Sequence, residues 1–282
     1  MLNFFKAKQS LLDEEIIEWV FNCYAWALEQ FDKDIFVNET ILVFPDNQHF
    51  PGKETSVDGM AHLIFNQVKQ YAGMSHWPTR LINLEKNKNE IISNHPVIID
   101  GGLRGKNATG QTNRSEKSQL TTSASNFFSS SCPQMQNSIP FTFHPQQLKS
   151  PEGIIAHFAH GLSHHLAATA KVPPPGGSDY LPMAGDLTGI FMGFGIMFAN
   201  SAIIPRAGGC GGCGGGQSPA RQVFLSEEEA TYALAVFCQL KSIDAKKISK
   251  HLKKHLRRFF KLAIDDCEKN LIERNYLKNI RP

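Results

Sequence analysis

Apolar residues recur at helical spacing in several stretches of the chain, which predicts a mostly helical protein. Most of these stretches carry helix-end signals: acidic residues in a first turn, a serine that can act as N-cap, or a glycine that can end the helix. The predicted helices span 13–31, 56–73, 151–170, 187–200 and 226–240, and one or two further helices lie within 244–277.

Short apolar runs bounded by turn residues predict a small sheet in the first half of the chain. Pro140 lacks the N–H that a central strand would donate, so its strand is expected at an edge. The predicted strands are Thr40–Phe44, Arg80–Leu84 and Ile139–His144, with a weaker candidate at Val97–Ile99. The pattern therefore indicates an α+β fold that is mostly helical, with the small sheet packed against a helix.

The helix from Pro151 to about Ala170 carries four histidines between positions 157 and 165. Ser150 can cap this helix, and Pro151 occupies the first helical position, where a missing N–H is tolerated. His160 and His164 are four residues apart and lie one turn apart on one face, a spacing that lets two imidazoles share one metal ion.

Asp186 is the expected third metal ligand. It opens the apolar segment that follows a Pro/Gly turn, so an antiparallel second helix could return it to the histidines. Glycines 185, 189 and 193 give this segment a smooth stripe that would allow close approach to the histidine helix. His157 is a competing ligand because it shares a helix face with His160 and His164, whereas His165 points about 100° away from His164 and is expected at the surface or behind the ligands.

The residue after the first histidine of a zinc-peptidase helix is a glutamate that takes a proton from the metal-bound water. Here that position is Gly161. Glu152 lies about two helical turns from His160, too far to replace it simply. The motif therefore predicts a metal site without its general base, in which catalysis is impaired or lost.

The segment from Pro151 to Lys241 resembles an uncharacterised bacterial family of HExxH-type zincin domains. The resemblance rests on four motifs, which cover about a third of the chain: Ala159–Leu166, Pro174–Gly177, Asp186–Ser201 with its glycines and Ala-Asn-Ser end, and Leu225–Glu227. It implies a zincin-like fold and a zinc cofactor. The chain departs from the family at Gly161 and at Met183–Gly185, where such helices often carry an acidic residue.

Two alternatives remain open at this stage. The histidines could be packing residues of a metal-free interaction or scaffold protein, since His-x3-His also occurs by accident. Cys210 and Cys213 have the spacing of a metal or thiol site, but they lie in a glycine-rich loop without a second pair, so two free thiols are an equal interpretation.

Composition limits the remaining classes of function. The chain has 282 residues and is 41% hydrophobic, enough for a substantial core. A net charge of +3 predicts little affinity for nucleic acid, and the basic run from Lys246 to Lys261 is expected to be a solvated face. The six cysteines are scattered, and we find neither an apolar run typical of a signal peptide nor a convincing membrane span, so we expect a cytoplasmic protein. Its partner is expected to be an unknown peptide or protein.

The expected organisation along the chain has four parts that together form one compact domain. The parts are an N-terminal α/β part (1–100), a flexible polar insertion (101–137), the zincin-like metal-site core (138–243) and basic C-terminal helices (244–282).

Overall fold

The computed structural model describes residues 11–87, 99, 102–108, 138–202 and 223–273, and these form a mostly helical chain with one small sheet. The α+β class predicted from the sequence is thus confirmed. The helices are α1 (Glu14–Gln30), α2 (Lys33–Asn38), α3 (Val57–Ala72), α4 (Pro151–Ala168), α5 (Leu181–Gly189), α6 (Gly195–Ser201), α7 (Glu227–Leu240), α8 (Ala245–Ser249) and α9 (Lys254–Glu273).

Two parallel strands, β1 (Thr79–Asn83) and β2 (Ile139–Phe143), form the sheet among the described residues. Each has only one partner strand there, so Pro140 sits at an edge as predicted. Alternate residues of β2 point inward, and the Phe141 ring lies 4.9 Å from the ring of Phe65 on α3, measured between centroids. Phe141 also faces α4, so the sheet packs against the histidine helix.

The apolar segment predicted as one helix is two helices joined by a kink. Between α5 and α6, residues Ile190–Phe194 form a wide π-type turn in which Gly193 has a φ of 100°. The N–H of Val43 donates to the carbonyl oxygen of Gly193, 2.9 Å away. Only glycine fits here, because a Cβ at position 193 would overlap the carbonyl oxygen of Ile41.

This kink also explains why the strand predicted at Thr40–Phe44 is wrong. Residues 40–44 have no regular secondary structure, and the N–H of Val43 pairs with the kinked helix instead of a neighbouring strand. Leu42 and Val43 are buried all the same. The apolar run therefore correctly indicated buried residues, although its backbone pairs with the kinked helix and not with a strand.

The three glycines of the apolar segment do not form one contact face. A Cβ on Gly185 would meet the ring of His164, which confirms close packing of α5 on α4 at that point. Gly189 instead faces Phe198, and Gly193 faces Ile41. Because the chain turns at the kink, the three glycines face three different neighbours: a residue of α4, a residue of α6 and the segment at 40–44.

Residues 102–108 are the described part of the polar insertion predicted at 101–137, and they contact the rest of the fold. Arg104 is buried and donates from Nε to the carbonyl of Ala72 at the end of α3 and from Nη2 to Thr40. Its guanidinium lies 5.5 Å from the centre of the Phe191 ring. Burial lowers the pKa of Arg104 to about 10. The rest of the predicted insertion lies outside the described residues.

Other boundaries follow the sequence closely. The Ser56 cap, the left-handed Gly73 at the end of α3 and the Ser226 capping box of α7 are all present. Of the weak strand Val97–Ile99, only Ile99 is described, and it has no regular structure. The helical run Ser178–Ser201 is long and apolar enough to cross a membrane, but 83% of its apolar window is buried, which is weak evidence for a span and compatible with a soluble protein.

One hydrophobic core runs through the described part of the chain, from Ile17 on α1 to Leu271 on α9. The Pro/Gly turn after α4 is tied to this core by two indole donors of α1. Trp19 donates to the carbonyl of Pro175 and Trp26 to that of Val172, at 2.9 and 2.8 Å. These bonds fix the turn that leads from α4 into α5. The four-part division of the chain stays a prediction.

Candidate metal centre

His160 and His164 lie on α4, which begins where the sequence predicts. The Ser150 side chain accepts the N–H of Gly153, and Pro151 occupies the first turn. The centres of the two imidazole rings are 4.1 Å apart. Helical spacing therefore places two nitrogen ligands side by side on one face of α4.

Helix α5 brings Asp186 to the same face. The absence of a side chain at Gly185 matters here, because a Cβ would lie 2.7 Å from two atoms of the His164 ring. Asp186 Oδ1 lies 2.9 Å from His160 Nδ1 and 3.4 Å from His164 Nε2. The structure thus brings together the three residues that the sequence predicts as ligands.

The geometry fits a shared metal ion. One ligand atom from each residue lies within 4.8 Å of the other two. Two ligands of a tetrahedral zinc, each about 2.0–2.2 Å from the ion, are about 3.3–3.6 Å apart, so a small adjustment of these side chains could accommodate the ion. Two imidazole nitrogens and one carboxylate oxygen are also a donor set that suits zinc. This group could hold a metal ion.

Burial and access differ between the three ligands. The Asp186 side chain is 1% exposed, whereas those of His160 and His164 are 16% and 26% exposed. A buried carboxylate needs positive charge or several hydrogen bonds to offset its lost hydration. The partial exposure of the histidines leaves solvent access to the group, as an open coordination position requires.

Two backbone amides hold the second oxygen of Asp186. Its Oδ2 accepts the N–H groups of Phe224 and Leu225, at 2.8 and 3.2 Å. The Phe224 ring lies nearly parallel to the His160 ring, with centroids 6.2 Å apart, and 5.4 Å from the His164 ring. The segment before α7 therefore orients the carboxylate and covers one side of both imidazoles.

The sequence alone predicts no contact between the site and Phe224 or Leu225. The available signal was their position just before the Ser226 capping box, where an apolar residue often packs against the first turn of the helix. That signal predicts packing against α7. It cannot predict that the same two backbone amides reach a carboxylate 38 and 39 residues earlier.

His157, the alternative ligand, lies apart from this group. Its Nε2 lies 2.8 Å from the carbonyl oxygen of Thr142 on β2, so its ring is directed to the sheet. His165 packs its ring against Phe141, with centroids 5.5 Å apart. Burial, together with the neighbouring His164, lowers the pKa of His165. Both residues connect α4 to β2, and the prediction that His165 lies outside the ligand set agrees with this placement.

Gly161 also faces the sheet. A Cβ at this position would lie 2.8 Å from Cε1 of Phe141, whose ring is buried. The close approach of α4 to β2 thus requires glycine at the position where a zinc-peptidase helix has its glutamate. A longer side chain here would have to displace Phe141 before it could turn toward the ligands.

This placement predicts the effect of Gly161→Ala. The variant should lower the free energy of unfolding by about 1–3 kcal/mol, because it overpacks a filled contact. Urea denaturation measures this change. In the double variant with Phe141→Leu, the loss caused by alanine should become smaller. Equal losses in both backgrounds would show that Phe141 is not the residue that excludes a side chain at 161.

Glu152 does not stand in for the missing glutamate. Its Oε1 accepts a hydrogen bond from Nδ2 of Asn200 at 2.6 Å, near the C-terminal end of α6. The pKa of Glu152 is raised, because burial raises it by more than the hydrogen bond from Asn200 lowers it. Its carboxylate therefore joins α4 to α6, away from the histidine face.

The cysteines of the described residues lie in the core. Cys23, Cys238 and Cys267 are free thiols, and burial raises the pKa of each, so they are poor metal ligands and poor nucleophiles. Cys210 and Cys213, the second site suggested by the sequence, lie outside the described residues.

No family model, curated protein or solved structure matches the chain.

Proposed function

We propose that the protein is a zinc-binding, metallopeptidase-like protein in which His160, His164 and Asp186 hold the metal and peptide hydrolysis is impaired or lost. The observation that carries this proposal is the convergence of three ligand atoms around a buried carboxylate. Its support from resemblance is the zincin-like series of motifs from Pro151 to Lys241. The three free, buried thiols of the described residues suit a reducing cytoplasmic compartment.

Each residue of the site has a distinct part in this proposal. His160 would bind through Nδ1 and His164 through Nε2, because these atoms lie nearest to Asp186 Oδ1. The amides of Phe224 and Leu225 hold Oδ2, so that Oδ1 stays directed at the histidines. A zinc ion held there would supply a Lewis acid able to polarise a carbonyl or a bound water.

Hydrolysis is expected to be weak because the chain lacks a general base at the usual position. Position 161 carries no carboxylate and faces Phe141, and Glu152 is engaged with Asn200. General acid–base catalysis contributes about 100- to 10,000-fold to a rate. A metal site without it would still bind carboxylates or carbonyls of a peptide, which suits a binding role.

Metal analysis of the purified chain tests the proposal. After exposure to zinc and dialysis, we expect about one zinc per chain, and His160→Ala and His164→Ala should each abolish stoichiometric binding. His62→Ala is the matched control, because His62 is exposed on α3. Zinc at 100 times its dissociation constant should also stabilise the wild-type fold by about 2.7 kcal/mol.

The rival function is a metal-free interaction or scaffold protein in which the histidines and Asp186 serve as packing. An ordinary hydrogen bond also explains the distance of 2.9 Å between His160 Nδ1 and Asp186 Oδ1, and this observation favours the rival. Under this rival, the purified chain retains no stoichiometric zinc and its melting temperature does not change when zinc is added. That pair of results would rule out the metal-binding proposal.

A further inference from the structure

Positive charge is concentrated in one short part of the molecule. Residues 245–264 contain eight lysines and arginines and no aspartate or glutamate, whereas the remainder of the chain has more acidic than basic side chains. The small net charge of the whole chain therefore hides a strongly basic segment. In the structure this segment comprises α8, the turn after it and the first half of α9.

The packing of the segment directs its cations outward. Ile248, Leu252, Leu256 and Phe260 are buried and anchor α8 and α9 to the core. The anchors leave the exposed cations of α8, the turn and α9 on the solvent side. We call the resulting surface the basic face. Its members are the exposed cations of the segment whose side chains form no hydrogen bond with a described residue, namely Lys246, Lys247, Lys250, Lys254, Arg258 and Lys261.

Carboxylates of the described residues do not neutralise the basic face. Glu227 at the start of α7 pairs with Lys253 and His255, which are not members of the face. Among the residues the structure describes, none of the six members forms an ion pair. Surface lysines are usually interspersed with acidic partners, whereas the acidic residues nearest to these six cations in sequence, Asp244 and Asp265, lie at the two ends of the segment. The potential over the basic face is therefore expected to be positive.

The turn that carries part of this face is held in place. Arg257 donates from Nε to the carbonyl of Leu252 and from Nη2 to that of Lys250, at 2.9 and 3.1 Å. Two further bonds fix Asn200 to the turn, one from its Nδ2 to the carbonyl of His251 and one to its Oδ1 from the N–H of Lys253. The cations thus project from a structured element.

The charges also work against the helix that carries them. The first turn of α9 has no acidic residue, although the helix dipole favours carboxylates there. Lys254, Arg257 and Arg258 occupy this end instead. A bound polyanion would remove this repulsion, whereas water only screens it.

We propose that the basic face binds the phosphodiester backbone of duplex nucleic acid without reading its sequence. Phosphate contacts by lysine and arginine supply most of such non-specific affinity. A membrane surface fits less well, because a membrane-bound amphipathic helix inserts its apolar side, and the apolar side of α9 is buried in the core. Among the described residues of α8 and α9, Leu262 is the large apolar residue that stays exposed, with 43% of its surface accessible to solvent.

Fluorescence anisotropy with a labelled 20-base-pair duplex, as DNA and as RNA, tests this proposal on the full chain. We expect a dissociation constant of about 10⁻⁴ to 10⁻⁶ M at physiological salt, tightening steeply as salt is lowered. The triple variant Lys254→Gln, Arg258→Gln, Lys261→Gln should bind at least about 10-fold more weakly at 50 mM salt and reduce the salt slope by about 3. The matched control is Lys53→Gln, Lys149→Gln, Lys171→Gln, three exposed lysines elsewhere, which should leave both values unchanged.

The probes also separate other polyanions from nucleic acid. Phosphatidylserine-containing vesicles and polyglutamate serve as competitors. Absence of duplex binding, equal losses in the two triple variants, or tighter binding to vesicles or polyglutamate than to either duplex would overturn the proposal. Circular dichroism of both triple variants establishes that they are folded, since all six substituted residues are exposed.

Discussion

Replacing Gly193 with alanine is expected to lower the free energy of unfolding by about 2–5 kcal/mol, one of the largest single-residue effects in this protein. Two costs add together. The φ of 100° is strained for any L-residue, at about 1–2 kcal/mol, and a Cβ would overlap the carbonyl oxygen of Ile41, which cannot move without breaking the contact between residues 40–44 and the kinked helix. Equilibrium denaturation in urea measures the loss.

Gly52→Ala is the control. Gly52 has a similar positive φ of 104°, but a Cβ built on it would meet only the flexible end of the Leu63 side chain, at 3.1 Å. The control should therefore show little more than the backbone cost, about 1–2 kcal/mol. Equal losses for the two variants would show that the contact with Ile41 does not contribute, and would contradict the role assigned to the kink.

Asp186→Asn is expected to abolish stoichiometric zinc binding and to weaken affinity at least about 100-fold. The amide has nearly the same shape, but it carries no charge. If its oxygen accepts the N–H groups of Phe224 and Leu225, its NH2 group faces the histidines. Removing a residue that only hydrogen-bonds to a metal ligand commonly lowers metal affinity by about 10- to 100-fold. Asp186 would be a direct ligand, so the expected loss is at least as large.

Two measurements separate this effect from simple unfolding. Zinc content by mass spectrometry reports the metal, and hydrogen exchange of the Phe224 and Leu225 amides reports whether their bonds to residue 186 persist. Asp179→Asn, an exposed position just before α5, should change neither. Retention of one zinc per chain by Asp186→Asn would contradict the assignment of Asp186 as a ligand.

The sequence was sufficient wherever local signals agreed with each other. The Ser150 cap and Pro151 together predicted the start of α4, and the Ser226–Glu229 capping box predicted the start of α7. The proximity of Asp186 to His160 followed from an apolar helix after a Pro/Gly turn, because a short connection favours antiparallel neighbours. The two helix starts depend on residues a few positions apart, where spacing largely determines geometry.

The remaining features depend on contacts between distant residues. His157 shares a helix face with the ligands by spacing, but the carbonyl of Thr142 binds its ring. The apolar run Thr40–Phe44 looked like a strand, although its partner is the carbonyl of Gly193. Periodicity describes which residues are buried, and it does not identify the element that buries them.

Gly161 shows the same limit at the candidate site. From the sequence it is a missing glutamate, and the structure adds that the position is occupied by the contact between α4 and Phe141. Restoring Glu at 161 would therefore have to reshape the sheet contact as well as supply a base. A single substitution that restores the motif is not expected to restore peptidase activity.

The most direct test of the account is an anomalous difference map from a crystal of the zinc-loaded protein, with data collected on both sides of the zinc absorption edge. The account predicts one strong peak about 2.0–2.2 Å from His160 Nδ1, His164 Nε2 and Asp186 Oδ1. A map without a peak at this position, in crystals where His160 Nδ1 remains hydrogen-bonded to Asp186 Oδ1, would contradict it.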